Sequence, residues 1–112
     1  MNVRRVVTGR TPEGKSVFAS DTAVPPITLD LLPGAEFHRL WGSHVPVQLP
    51  ADGSPPAIPQ YFPPLGGFRF GLFTVGPDAA TLPPDLDIPA AFAEIQQKLP
   101  GLAEVKRLPH LP

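Results

Sequence analysis

The chain has 112 residues, a formal net charge of −1 and no cysteine, which fits one domain, excludes disulfides and thiolate metal sites, and argues against general nucleic-acid binding. No apolar run approaches ~18 residues and no long apolar stretch follows the first arginines, so neither a membrane span nor a secretory signal is expected and a cytoplasmic protein is the default. Eighteen prolines and ten glycines make up a quarter of the chain, yet Leu, Ile, Val and Phe supply 33 residues, enough for a modest folded core rather than disorder.

The predicted elements are mainly strands. Residues 3–8, "VRRVVT", are β-branched and read as a strand. "TPEG" at 11–14 suits a type I turn, with proline second and glycine fourth. "KSVFAS" at 15–20 reads as the returning strand of a hairpin. "ITLDLL" at 27–32 alternates, with Ile27, Leu29 and Leu31 on one face, and "PG" at 33–34 is expected to stop it. "EFHRLWG" at 36–42 is a further strand, with Phe37, Arg39 and Trp41 facing one way and His38 and Leu40 the other. Residues 45–49, "VPVQL", read as a short edge strand because Pro46 has no N–H to give a ladder.

Residues 50–67 form a proline-rich loop, either a binding loop or a stiff connection. "FRFGLFTV" at 68–75 is the strongest strand, with Phe68, Phe70 and Leu72 on one face and Phe73 and Val75 on the other. A helix is predicted over 88–99. Asp87 is its N-cap, Pro89 lies in its first turn, and Ile88, Phe92, Ile95 and Leu99 form one apolar stripe ended by Pro100 and Gly101. The tail from 102 to 112 is a last strand or a loose end.

One segment advertises chemistry. "GRTPEGKS" at 9–16 fits the phosphate-loop pattern G-x-x-x-x-G-K-[ST]. A phosphate loop needs a helix after it, to offer N–H groups to phosphate. Here "VFASDTAVPP" follows, β-branched and ended by proline, and Pro12 removes an N–H from the cradle. The segment reads as a hairpin turn, with no nucleotide site.

Other constellations are weaker. His38 and His44 lie six apart, where strand ligands are usually two apart, and a third ligand falls to His110 or a distant carboxylate, so no metal site is assigned. The bland reading places His38 near a strand edge and His44 in a turn. Ser16, Ser20, Ser43 and Ser54 lack nucleophile-elbow glycines, and Asp85 and Asp87 read as helix-start residues, so no catalytic residue is assigned. Residues 1–15 carry a net +3 and residues 21–94 a net −6, read as solvated surface. The aromatics read first as the core of a small β domain. As a ligand-contacting set, His38, Trp41, Tyr61, Phe62 and Arg69 are the candidates, with Tyr61 in the proline loop the best placed to touch something outside the fold.

The order of landmarks resembles the N-terminal part of small bacterial cupin-domain proteins. It is carried by "RRVVTGRTPEGKSVFASD", "FHRLWGS" and "GGFRFGLFTVGP" followed by a short helix, across roughly residues 3–99. The resemblance implies antiparallel strands forming part of a jelly-roll sheet. Metal-binding cupins carry a His-x-His motif, which this sequence lacks, so no metal ligand carries over and no cofactor is expected. The chain is similar to the front portion of a cupin: a fragment, one piece of a split protein, or a short form.

The expected architecture is therefore mainly β, cupin-like in part, with one short C-terminal helix in a single unit over 1–112. A front portion leaves strand edges unpaired, so the partner expected is another copy of the chain or a C-terminal cupin portion, with no nucleic acid and no membrane. Three functions remain open. The first is a non-catalytic unit, either structural or binding a small apolar or aromatic molecule. The second is the N-terminal part of a metal-dependent cupin enzyme whose histidines lie outside this chain. The third is a protein-interaction module using the proline-rich loop.

Overall fold

The computed structural model describes residues 1–77 and 81–104. Strands β1 (Val3–Arg10) and β2 (Ser16–Val24) form an antiparallel hairpin. Its turn is closed by the Gly14 N–H donating to the Thr11 carbonyl at 2.9 Å. Gly14 then adopts φ 85°, a left-handed conformation that costs glycine nothing and lets the ladder resume at the Thr11 N–H and Lys15 carbonyl. The segment 9–16 thus joins two antiparallel strands, and β2, not a helix, follows Ser16.

The second sheet runs in the order β3 (Ile27–Leu29), β4 (Leu32–Ser43), β5 (Phe68–Thr74), all antiparallel. Among the described residues the fold is mainly β, five strands in two sheets that do not close into a barrel. Two strand limits differ from the sequence expectation. The turn falls at Asp30 and Leu31, with Leu29 pairing with Leu32, and Pro33 and Gly34 lie inside β4. Gly34 adopts φ 80° there, and a Cβ on it would sit 2.8 Å from the Pro77 ring and 3.2 Å from the Gly76 backbone. Its glycine serves a close chain approach rather than a stop. Residues 45–49 are irregular and pair with no strand among the described residues, as a segment with a proline at its second position permits.

Helix α1 (Ile88–Lys98) starts at Asp87, whose carboxylate accepts the Ala90 N–H at 3.1 Å, a standard N-cap. A short 3₁₀ turn, Leu102–Glu104, follows it. The rest of the tail, with His110, lies outside the described residues.

The core is small. Leu29, Ala35, Phe37, Ile95 and Leu99 form it, with Ile27, Leu31, Tyr61 and Leu102 packed against it. The predicted helix stripe docks only in part. Ala91, Ile95 and Leu99 are buried, whereas Ile88 and Phe92 are exposed. The polar contacts that hold α1 come from β3 and the turn after it: the Glu94 carboxylate accepts the Asp30 N–H at 2.8 Å, and the Lys98 ammonium donates to the Thr28 carbonyl at 3.0 Å. β3 is only three residues long, so these fastenings reach the C-terminal half of α1 and none fixes Ile88.

The irregular segment 44–67 straps the two sheets. Near its start, the Arg10 N–H donates to the Ala51 carbonyl, and a Cβ on Gly9 would fall 2.0 Å from the Asp52 carbonyl oxygen. Near its end, the Tyr61 N–H donates to the Pro100 carbonyl at 2.6 Å, tying the loop to the end of α1.

Candidate functional site

A cleft of about 280 Å³ lies where β4 and β5 meet the proline-rich loop. Residues of β4 (Phe37, His38, Arg39, Trp41), of the loop (Ile58, Tyr61, Phe62, Pro63) and of β5 (Arg69 to Phe73) line it. All five residues nominated from the sequence, His38, Trp41, Tyr61, Phe62 and Arg69, border this one cleft.

The strand register divides them. His38 pairs with Leu72 and Trp41 with Phe70, while the register shifts between Arg39 and Trp41. Directly paired residues share a face, and Phe70 and Leu72 are two apart on β5, so His38, Trp41, Phe70 and Leu72 lie on one face. The irregularity at Leu40 moves Trp41 from the face expected of simple alternation to that of His38. The hairpin meets this face, with the Arg5 guanidinium 6.0 Å from the Trp41 ring centre and donating to the Leu40 carbonyl at 2.9 Å.

On the opposite face, Phe37, Arg39, Arg69 and Phe73 meet the loop. Phe37 packs on Phe73 with ring centres 4.7 Å apart and meets Tyr61 edge-on at 6.1 Å. Tyr61 meets Phe62 edge-on at 5.0 Å. These are the arrangements that aromatic quadrupoles favour. The Arg39 guanidinium lies 5.9 Å from the Tyr61 ring centre.

The arginines fix the loop by its backbone. Arg39 Nη2 donates to the Gln60 carbonyl at 3.1 Å and to the Ile58 carbonyl at 3.3 Å. Arg69 Nε donates to the same Gln60 carbonyl at 2.9 Å, and its Nη1 to the carbonyls of Ser43 and Phe68. Two guanidiniums converge on one neutral oxygen. Burial chiefly, and then the like charge of Arg69, lowers the Arg39 pKa from its usual value.

His38 is the most buried polar residue described, 1% exposed, and sits on the central strand β4 rather than near an edge. Neither ring nitrogen has a hydrogen-bond partner among the described residues. His44 lies exposed in a bend after β4, as the bland reading expected. Among the described residues no group of three or more histidines or carboxylates is placed to hold a metal ion, and no helix is long and apolar enough to cross a membrane.

Arg39 was missed as a site residue. The signal was present, since a charged residue alternates there with Phe37 in an apolar strand, but its meaning depends on the loop that folds over it. Comparisons with protein families, curated proteins and solved structures find no match for this chain.

Proposed function

We propose that the chain is a non-catalytic binding unit whose cleft takes a small aromatic or apolar molecule. The observation that carries this reading is the cleft itself: Phe37 and Phe73 on one sheet face and Tyr61 and Phe62 of the loop above it form an aromatic wall, and the loop is fastened at both ends. Ligand pockets are mostly apolar with a few placed polar groups, and a volume of about 280 Å³ lies just below the usual lower end of about 300 Å³. A one- or two-ring molecule matches that size. The cupin resemblance supports the same reading at the level of ancestry, as a cupin-derived unit without a metal centre.

The test is titration of the labelled protein with 1-naphthamide, a neutral two-ring probe, followed by amide and side-chain NMR. Shifts should concentrate at Phe37, Arg39, Tyr61 and Phe73, and Tyr61→Ala with Phe62→Ala should abolish them while the remaining spectrum stays dispersed. An absence of localised shifts with millimolar probe overturns the reading.

A second observation favours a partner copy. Among the described residues β5 is an edge strand, and Phe68, Phe70 and Leu72 stand 41%, 59% and 40% exposed along it. It carries no Lys, Asp, Glu or Pro to discourage pairing, and its one charge, Arg69, is turned to carbonyls. Antiparallel pairing of β5 with β5 of a second copy, centred on Gly71, sets Phe70 opposite Leu72 and keeps the two Arg69 side chains apart. Light scattering after size exclusion should give a dimer, and Phe70→Lys a monomer. A wild-type monomer at micromolar concentration refutes this assembly; a complex formed only with a different chain assigns the edge to that chain instead.

A further inference from the structure

We infer that the molecule taken by this cleft is an aromatic anion, and that Arg39 and Arg69 together bind its carboxylate. The inference rests on the binding reading above and names the ligand class.

Charge balance is the first argument. Both guanidiniums stand in the cleft wall, yet the ion pairs among the described residues are Met1 with Glu36, Arg4 with Asp21, and Lys98 with Glu94. Neither Arg39 nor Arg69 has a carboxylate partner among them. Every acceptor they meet among the described residues is a backbone carbonyl, which satisfies N–H groups without neutralising charge. Two positive charges therefore share a partly buried site, where a negative ligand group is worth more than it is in water.

Unused donors are the second. A guanidinium carries five N–H groups in a planar fork. Arg39 spends Nη2 on the loop, leaving Nε and Nη1. Arg69 spends Nε and Nη1, and its Nη2 is buried with no partner among the described residues. A buried donor left unpaired is costly, and a carboxylate oxygen that reaches Arg69 Nη2 by displacing the atoms covering it relieves that cost. Planar carboxylates are the groups that such forks match best.

The third is the apolar surround. Tyr61 and Phe62 stand beside the arginines, and Phe37 and Phe73 continue the same wall. An aryl ring against this wall places its carboxylate toward the guanidiniums. A bare inorganic anion would use the charge and leave the wall unfilled.

The experiment compares 1-naphthoate with 1-naphthamide, which share shape and differ in charge, by calorimetry on the full chain. Naphthoate should bind at least about tenfold more tightly, the scale of a charge-assisted hydrogen bond over a neutral one. Arg39→Met and Arg69→Met should each lower naphthoate affinity by a larger factor than naphthamide affinity, bringing the ratio of the two toward one, and Arg39→Lys should restore part of that ratio. Because the arginines also hold the loop, naphthamide affinity doubles as the check on folding. Equal binding of the two probes to the wild type overturns the anion assignment and leaves the cleft reading standing. Loss of both probes in the Met variants makes the arginines loop fasteners only, and overturns it as well. Failure of both probes to bind the wild type defeats the cleft reading itself.

Discussion

Replacing Leu99 by alanine should weaken the fold and the cleft together. Leu99 is 0% exposed and belongs to the core formed with Leu29, Ala35, Phe37 and Ile95. Truncating a buried leucine costs about 2–5 kcal/mol, from lost transfer energy and the residual cavity. Domains of this length hold roughly 6–15 kcal/mol in all, and a core this small places the chain near the lower end. A loss of about 3 kcal/mol therefore removes close to half the margin and lowers Tm by roughly 10–20 °C. The site feels it because Leu99 precedes Pro100, whose carbonyl accepts the Tyr61 N–H. Release of the helix end frees Tyr61 and the aromatic wall. Urea denaturation followed by far-ultraviolet circular dichroism and by Trp41 fluorescence measures the first effect, and naphthamide titration the second. A stability loss under about 1 kcal/mol, or unchanged probe affinity in a clearly destabilised variant, would refute the reasoning.

Gly9→Ala should detach the loop from the hairpin, because the new Cβ meets the Asp52 carbonyl oxygen at 2.0 Å and backbone must move; the expected cost is about 1–3 kcal/mol, read by urea midpoint, and a neutral substitution contradicts the close approach. Glu94 should contribute acid sensitivity. The Asp30 N–H first, and the Lys98 ammonium second, hold its carboxyl below the usual glutamate range. A depressed folded pKa gives stability that is present above the unfolded value of about 4.3 and lost as pH falls through the folded value. Glu94→Gln should therefore be less stable than wild type at pH 7, with the gap narrowing on acidification below ~4. A gap independent of pH points to packing rather than charge.

Much of the fold was legible because local rules are short. Thr11, Pro12 and Gly14 specify a turn within four residues, so residues 9–16 read as a hairpin despite their phosphate-loop pattern. Asp87 and Pro89 mark a helix start in the same way, and the apolar residues of 68–75 announce a strand. The errors sit where a distant segment intervenes. Pro33 and Gly34 read as a stop because that is their usual local effect, but here Gly34 makes room for Gly76 and Pro77. Ile88 and Phe92 fit the helical stripe by spacing, yet no fastening from β3 reaches that end of the helix.

The site follows the same division. Tyr61, Phe62 and Arg69 could be nominated from residue type and position alone. The pairing of Arg39 with Arg69 could not, since it exists only because a loop lays the carbonyl of Gln60, 21 residues along the chain from Arg39, between them. Nor could the face of Trp41, which turns on one irregular residue in a ladder whose other strand begins 27 positions later.

By itself, then, the sequence determined the mainly β class, the hairpin, the helix and its cap, and the proline-rich loop, because backbone preferences and side-chain alternation act over a few consecutive residues. Only the tertiary structure decided which face each aromatic occupies past the irregularity at Leu40, which half of the helix is buried, and where two guanidiniums with no carboxylate partner among the described residues meet an aromatic wall. Those outcomes are set by contacts between segments far apart in the chain, and no local spacing encodes them.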